Sequence, residues 1–226
     1  MKILKLFLSI LSLVAFYMSA AQTYGKNGMV VSASGIASEV GLDILKKGGN
    51  AVDASIATAF ALAVTHPAAG NIGGGGFMVI MKNDGYATTI DFREKAPLAA
   101  TQDMFQDENG NLINGLNHYS AKAIGVPGTV AGLYLAHQKY GSLQWAELVD
   151  PAVRLAADGF EMNWSLYKSA QYYESRQEDF PQMNEFFRNE AGDIIEPGSE
   201  FTQQALSESL ARIRDNGHDG FYKGKT

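Results

Sequence analysis

The sequence predicts an α+β fold, because two strands joined by a tight turn lie among segments whose apolar residues recur at helical spacing. Hydrophobic residues make up 46% of the 226 residues and charged residues 19%, which is enough apolar material for a sizeable core. No internal repeat, low-complexity segment or linker divides the chain. We therefore expect residues 22–226 to fold as one unit of mixed helices and antiparallel strands.

The beginning of the chain matches the pattern of a cleaved signal peptide over residues 1–21. Lys2 and Lys5 flank the start of an apolar run, and small residues directly before Gln22 form a cleavage site. The alternative is a transmembrane anchor, for which the run between Lys5 and Gln22 is slightly short. No cysteine follows the small residues, which excludes a lipoprotein anchor. We expect an exported protein, periplasmic or secreted, with no membrane attachment after cleavage.

The first helix is predicted from an N-cap and a stop signal. A short β-type run covers residues 29–33, and Ser34 then offers the cap. Apolar residues recur three and four positions apart over residues 36–45. Gly48 and Gly49 follow, and two glycines end a helix readily.

A second helix is predicted over residues 51–64. Asn50 can cap it, and Asp53 lies three positions on, which makes a variant of the capping box. The segment is rich in alanine and almost without charge. A helix that is apolar on all sides is expected to be buried on all sides. Pro67 closes the segment.

A β-hairpin is predicted next. Strands over residues 77–82 and 86–92 flank an Asn-Asp-Gly turn, and Asp-Gly is a strong hairpin signal. The region 96–117 reads as loop-rich. The glycine run Gly73–Gly76 precedes the first strand and is interpreted as a tight connection. Backbone N–H groups that converge on an anion are the alternative for this run.

The remaining elements are predicted to be helical. One helix covers residues 129–140. Ser142 is predicted to cap the next helix, which we expect Pro151 to interrupt because proline fits best in a first helical turn. Thr202 is predicted to cap a final helix that ends at Asp215.

Composition excludes several classes of function. Eighteen Lys and Arg against 24 Asp and Glu give a net charge of −6, so no nucleic-acid partner is expected. The absence of cysteine excludes thiolate metal sites and cysteine nucleophiles. The Gly-Lys-Thr at 224–226 lacks the earlier glycine of a phosphate-binding loop, since position 219 is Asp. We predict no metal and no cofactor, because none of the histidines has a partner at the spacing of a zinc helix: His66, His118, His137 and His218.

Arg93 is the candidate binding residue. It follows the second hairpin strand directly, and its guanidinium offers a planar fork that suits a carboxylate. Residue type alone favours a different interpretation, a surface ion pair with Asp91 or Glu94.

Long segments of the sequence closely resemble the γ-glutamyltranspeptidases, or glutathione hydrolases, and the resemblance extends over residues 28–226. The segments are GMVVSASGIASEVGLDILKKGGNAVDASIATAFALAVTHP, AAGNIGGGGFMVI, DFREKAP, SAKAIGVPGTVAGLYLAHQKYG and LVDPAVRLAADGF, and the match ends at GHDGFYKGK. Motifs of this length and order are highly specific.

The resemblance implies a four-layer αββα sandwich of the N-terminal-nucleophile hydrolase type, of which this chain would hold part. It implies a proenzyme that cleaves itself into a large and a small subunit. The new N-terminal Thr of the small subunit attacks the γ-glutamyl amide of glutathione, and water, an amine or a peptide resolves the acyl-enzyme. The arginine of DFRE, here Arg93, binds the α-carboxylate of the substrate, which reverses the preference for an ion pair. No role is implied for Gly73–Gly76.

The sequence departs from the family in length. No counterpart of the nucleophilic Thr is present, and Thr226 cannot be an N-terminal residue. We expect the chain to be the front part of a large subunit that needs the rest of that subunit and the small subunit. On its own it is expected to be inactive, with no catalytic residue assigned. The alternatives are a related exported acylase acting on β-lactam side chains or polyglutamate, and a non-catalytic exported binding module.

Overall fold

The structure is a computed structural model that describes residues 24–179 and 181–226. The predicted signal peptide lies outside these residues. Helices are mixed with short antiparallel strands, which confirms the α+β class. No helix within the described part is long and apolar enough to span a bilayer. The elements in chain order are α1 (Gly35–Lys46), α2 (Ala51–Thr65), β1 (Phe77–Met81), β2 (Ala87–Asp91), α3 (Leu116–Tyr119), a 3-10 turn (Ala121–Ala123), α4 (Thr129–Tyr140), α5 (Trp145–Asp158), β3 (Phe160–Glu161), α6 (Trp164–Glu174), α7 (Pro181–Phe186), β4 (Glu200–Phe201), α8 (Gln204–Asn216) and α9 (Asp219–Tyr222).

Helices α1 and α2 begin at the predicted caps. The hydroxyl of Ser34 accepts a hydrogen bond from the N–H of Ala37. The side-chain oxygen of Asn50 accepts from the N–H groups of Val52 and Asp53 at 2.8 and 3.0 Å. The carboxylate of Asp53 accepts in return from the N–H of Asn50 at 2.9 Å, which completes the capping box.

Helix α2 is the centre of the core. Eleven of its 15 residues are buried, as expected for a helix without a polar face. Helix α1 packs against it on one side and α5 on another, and α8 packs in turn against α5. The small side chains of α2 allow this close approach, because alanine keeps the helix surface narrow.

Asp53 also ties α2 to the end of α4. Its carboxylate accepts hydrogen bonds from the N–H of Ser142 at 3.0 Å and from the Ser142 hydroxyl. The side-chain amide of Asn50 donates to the carbonyl of Tyr140 at 2.7 Å. The prediction that Ser142 caps α5 is wrong, because its hydroxyl is committed to Asp53. The N-cap of α5 is Gln144.

Helix α5 runs through Pro151 without a break, so the predicted interruption is wrong. Proline in a helix interior costs about 3 kcal/mol, because it removes the hydrogen bond to the preceding turn. Burial offsets this cost, since each large apolar side chain removed from water contributes about 1.5–3 kcal/mol. The buried residues of this helix are Leu148, Val149, Ala152, Val153 and Ala156.

Strands β1 and β2 form the predicted antiparallel hairpin. Its turn contains Gly85 at a φ of +84°, a conformation that glycine adopts without strain. Ile80 and Ile90 are buried on the inner face of the hairpin. The outer face carries apolar side chains that are at least 65% exposed: Phe77, Val79 and Met81.

The β-type run at residues 29–33 does not form a strand, so that prediction is wrong. No neighbouring strand pairs with it in the part of the chain that the structure covers. A strand needs a partner for its backbone hydrogen bonds, and β propensity alone does not supply one. The side chain of Val31 is 81% exposed as a result.

The last third of the chain contains elements that the sequence did not reveal. The short strands β3 and β4 pair antiparallel, with Phe160 opposite Phe201. The sequence predicts Thr202 as the cap of α8, and this prediction is wrong. The N-cap of α8 is Gln203. The side-chain amide of Gln203 is buried and donates to the carbonyl of Val64 at 2.8 Å, which holds α8 against the end of α2. Helix α9 follows α8, so the predicted final helix is not the last.

Candidate functional site

Arg93 lies where the sequence placed it, two residues beyond the end of β2. Its backbone N–H donates to the carboxylate of Asp91 at 3.0 Å. Its guanidinium is exposed and makes no hydrogen bond or ion pair within the described ranges. The surface ion pair with Asp91 or Glu94 is therefore not formed. Asp91 fixes the backbone at Arg93 and leaves the guanidinium available to a ligand.

Glycines surround the backbone that carries Arg93. A Cβ on Gly75 would lie 2.6 Å from the carbonyl oxygen of Phe92, and one on Gly128 would lie 2.0 Å from the same atom. A Cβ on Gly132 would lie 2.1 Å from Cγ of the Phe92 ring. Only glycine permits such an approach. These three positions hold residues 92–93 tightly against the start of α4.

The glycine run serves as a connection. The carbonyl of Gly74 accepts hydrogen bonds from the N–H groups of Gly128 and Thr129 at 2.8 and 3.1 Å. Gly76 and Phe92 exchange backbone hydrogen bonds at 3.0 and 3.3 Å, which extends the hairpin beyond β1. The run thus joins α2 to the hairpin and caps α4. This arrangement supports the interpretation of Gly73–Gly76 as a tight connection.

The space beside Arg93 is a cavity of about 580 Å³. Its walls are the end of β2, the first turns of α4, His218 immediately before α9, and Tyr222 at the end of α9. Acidic and basic groups share the rim, since Asp91, Glu94 and Lys95 lie beside Arg93. The arrangement can bind a small zwitterion through its carboxylate. No three metal-binding side chains cluster anywhere in the described part of the chain.

Tyr222 joins two walls of this cavity. Its hydroxyl donates to the carbonyl of Pro127 at 2.7 Å and accepts from the N–H of Ala131 at 3.3 Å. Burial raises the pKa of the Tyr222 phenol, so the hydroxyl keeps the proton that it donates. The ring of His218 stacks on the Tyr222 ring, with 4.5 Å between centroids.

Two larger cavities lie elsewhere in the described part. One, of about 840 Å³, separates the extended residues 27–33 from α2. The other, of about 780 Å³, lies beside residues 186–202 and is lined mainly by polar groups. Neither contains the guanidinium that the sequence singles out. The smaller cavity at Arg93 is therefore the candidate site, because it lies at the end of a strand and is lined by a guanidinium that pairs with no other described residue.

Comparisons with known proteins identify the family of this chain. The family model described as Gamma-glutamyltranspeptidase matches residues 37–226. The chain belongs to the γ-glutamyltranspeptidase family. It is 46% identical over 211 residues to a glutathione hydrolase proenzyme of Pseudomonas sp. strain A14, a match that covers 92% of this chain and 36% of that protein. It is 47% identical over 199 residues to the glutathione hydrolase proenzyme of Escherichia coli, a match that covers 88% of this chain and 34% of that protein.

Solved structures confirm the fold of this family member. The γ-glutamyltranspeptidase of Helicobacter pylori is similar with a TM-score of 0.85 and 41% identity, over 90% of this chain and 58% of that chain. A cephalosporin acylase of Bacillus halodurans is similar with a TM-score of 0.76 and 28% identity, over 90% of this chain and 38% of that chain. This chain spans about a third of the length of the curated family members that it matches.

The sequence of this chain predicts only part of the candidate site. The position of Arg93 follows from the sequence, but its support by Gly128, Gly132 and Tyr222 does not. Tyr222 lies in the GFYKG segment that carried the resemblance, yet nothing in its local sequence points toward a strand that ends 131 residues earlier. The two glycines at positions 128 and 132, one helical turn apart, are the sequence signal that could have pointed to close packing there.

Proposed function

We propose that this protein takes part in γ-glutamyl transfer and hydrolysis on glutathione and other γ-glutamyl amides, with Arg93 as the residue that binds the α-carboxylate. The observation that carries this proposal is the exposed guanidinium of Arg93 on a rigid backbone at the edge of a cavity. A γ-glutamyl group presents a carboxylate at a fixed distance from its amide. A guanidinium can hold that carboxylate with two parallel hydrogen bonds and so orient the amide for attack.

The attacking group is an N-terminal Thr that these 226 residues do not include. In the proposed reaction its hydroxyl adds to the γ-carbonyl, and its own α-amino group takes the hydroxyl proton and passes it to the substrate nitrogen. The C–N bond then breaks, the amine departs, and the γ-glutamyl group remains as an ester on the Thr. Water, an acceptor amine or a peptide then releases the γ-glutamyl group. No described residue is assigned to a step at the reacting atoms; the contribution of this chain is to bind and orient the substrate.

The proposed partners are the remainder of the large subunit and the small subunit. Two surfaces support this part of the proposal. The outer face of the β1–β2 hairpin is apolar and exposed, and residues 29–33 are extended without a strand beside them in the described structure. Exposed apolar faces and unpaired extended segments are typical of surfaces that another part of a protein covers.

We also propose that the protein is exported, to the periplasm or outside the cell, after cleavage before Gln22. The support is the pattern of residues 1–21: a basic start, an apolar run and a small-residue cleavage site.

The experiment that tests the function compares three chromogenic anilides. The γ-glutamyl anilide carries both α-groups, the 4-aminobutanoyl anilide lacks the α-carboxylate, and the glutaryl anilide lacks the α-amino group. We expect the protein, assembled with its small subunit, to hydrolyse the first well and the 4-aminobutanoyl compound poorly. Equal turnover of these two would contradict a role for carboxylate binding.

A side-chain acylase is the second candidate, because the cephalosporin acylase shares 28% identity over 90% of this chain. An acylase of that kind would hydrolyse a β-lactam amide faster than glutathione. Measuring both substrates with the same enzyme preparation decides between the two activities. A protein that binds γ-glutamyl compounds without turning over any of them would instead be the non-catalytic binding module.

A further inference from the structure

We propose that Tyr222 is a positioning residue for Arg93: its hydroxyl holds the start of α4 against the backbone that carries the guanidinium. This inference rests on the proposed function, because it assumes that Arg93 binds the α-carboxylate. Tyr222 itself touches no reacting atom in the proposal. It acts on the substrate only through Arg93.

The first step of the argument is the contact between α9 and α4. The Tyr222 hydroxyl donates to the carbonyl of Pro127 and accepts from the N–H of Ala131, so both of its hydrogen bonds go to the backbone of one helix start. These two groups lie on either side of Gly128. The hydroxyl therefore fixes the position of Gly128 along and around the axis of α4.

The second step is the contact between Gly128 and Arg93. A Cβ on Gly128 would lie 2.0 Å from the carbonyl oxygen of Phe92 and 3.2 Å from that of Arg93. The two backbones are thus packed directly on each other. Close-packed atoms transmit a displacement, because there is no void to absorb it. A shift at the start of α4 moves the residues that aim the guanidinium.

The third step is the backbone pairing beside this contact. Lys95 and Val126 exchange backbone hydrogen bonds at 2.7 and 3.2 Å, which attaches the segment after Arg93 to the segment before α4. Arg93 thus lies between the anchored Asp91 and the paired Lys95. The only side chain from α9 that hydrogen-bonds to this assembly in the described structure is that of Tyr222.

The variant Tyr222→Phe removes the hydroxyl and keeps the ring. Tyr134→Phe is the matched control, because Tyr134 lies on α4, is half-buried and contacts the ring of Trp145 rather than the Arg93 cavity. We expect Tyr222→Phe to raise KM for the γ-glutamyl anilide about three- to tenfold, the effect of losing one or two hydrogen bonds. We expect kcat to stay within about twofold, since binding is altered and not the chemical step.

A double-mutant cycle separates positioning from general damage. In an Arg93→Ala background, Tyr222→Phe should raise KM no further, because the group that it positions is gone. The 4-aminobutanoyl anilide, which has no carboxylate for Arg93, should have the same KM with wild type and Tyr222→Phe. An equal rise in KM for both anilides, or an additive effect in the Arg93→Ala background, would overturn the inference.

Hydrogen exchange gives a readout that does not depend on activity. We expect the amides of Val126, Gly128 and Thr129 to exchange faster in Tyr222→Phe than in wild type or Tyr134→Phe. Unchanged exchange at these amides overturns the inference whatever the kinetics show. If wild type fails to turn over the γ-glutamyl anilide, the proposed function fails, and the exchange result still decides whether Tyr222 fixes the segment at Arg93.

Discussion

Replacing Arg93 with alanine should remove most of the activity toward γ-glutamyl substrates while leaving the fold intact. The side chain is exposed and forms no ion pair among the described residues, so its loss breaks none. The backbone at this position is held by Asp91 and by the glycines of α4, and those contacts remain. The effect should therefore fall on substrate binding and orientation.

The magnitude follows from the carboxylate that is left without a partner. Truncating one side of a hydrogen-bonded charge pair costs about 2–5 kcal/mol. At about 1.4 kcal/mol per factor of ten, kcat/KM should fall roughly 30-fold to several-thousand-fold. The exposure of Arg93 places the expected loss at the lower end of this range, because water screens the pair.

The assay is release of the chromophore from the γ-glutamyl anilide by the correctly self-cleaved enzyme. Arg93→Lys keeps the charge but loses the planar fork, so it should recover only part of the activity. Arg154→Ala is the control for loss of a surface cation, since within the described residues Arg154 pairs only with Asp150 on α5. It should leave kcat/KM unchanged.

Two results would refute the assignment of Arg93. The first is a near-normal kcat/KM for Arg93→Ala in enzyme that has cleaved itself. The second is an equal loss for the 4-aminobutanoyl anilide, because that substrate has no carboxylate to lose contact with. Either result would return Arg93 to the role of an ordinary surface residue.

Four further outcomes are expected. Asp53→Ala should lower the free energy of unfolding in urea by about 2–4 kcal/mol, because it removes the hydrogen bonds that the buried carboxylate accepts from Asn50 and Ser142. Gly132→Ala should cost about 1–3 kcal/mol through the clash of its Cβ with the Phe92 ring. Gly35→Ala, whose Cβ meets nothing within 4 Å, should stay within about 0.5 kcal/mol of wild type. Loss of stability in Gly35→Ala equal to that in Gly132→Ala would contradict the packing argument. Mass spectrometry of protein from the cell envelope should find Gln22 as the first residue, and an intact leader would contradict export by cleavage.

The sequence predicts the elements that depend on local signals. The caps at Ser34 and Asn50, the hairpin turn at Gly85 and the bounds of α4 all follow from residue types within a few positions. The errors share a different cause. Ser142 and Thr202 are good cap residues by type, but the caps are Gln144 and Gln203, and the Ser142 hydroxyl is bonded to Asp53 instead.

The candidate site also has one part that local sequence signals predict and one part that depends on tertiary packing. Arg93 could be singled out because it follows a strand that the hairpin pattern predicts and lies in the DFRE segment that resembles the family. Its supports could not be predicted, since Gly128 and Tyr222 meet the hairpin only after α4 and α9 have packed. Pro151 is a related case, in which a local helix-breaking signal is outweighed by burial of the helix that contains it.

The polar bonds that hold this fold together also constrain the order in which it can form. The amide of Gln203 and the carbonyl of Val64 are 139 residues apart, and the hydroxyl of Tyr222 and the carbonyl of Pro127 are 95 apart. Contacts so distant in sequence form slowly, because the intervening chain must be closed first. The contacts at the C-terminal end of α2 and at the start of α4 are therefore completed only when α8 and α9 arrive, and a chaperone that shields these segments until then should raise the yield of folded protein.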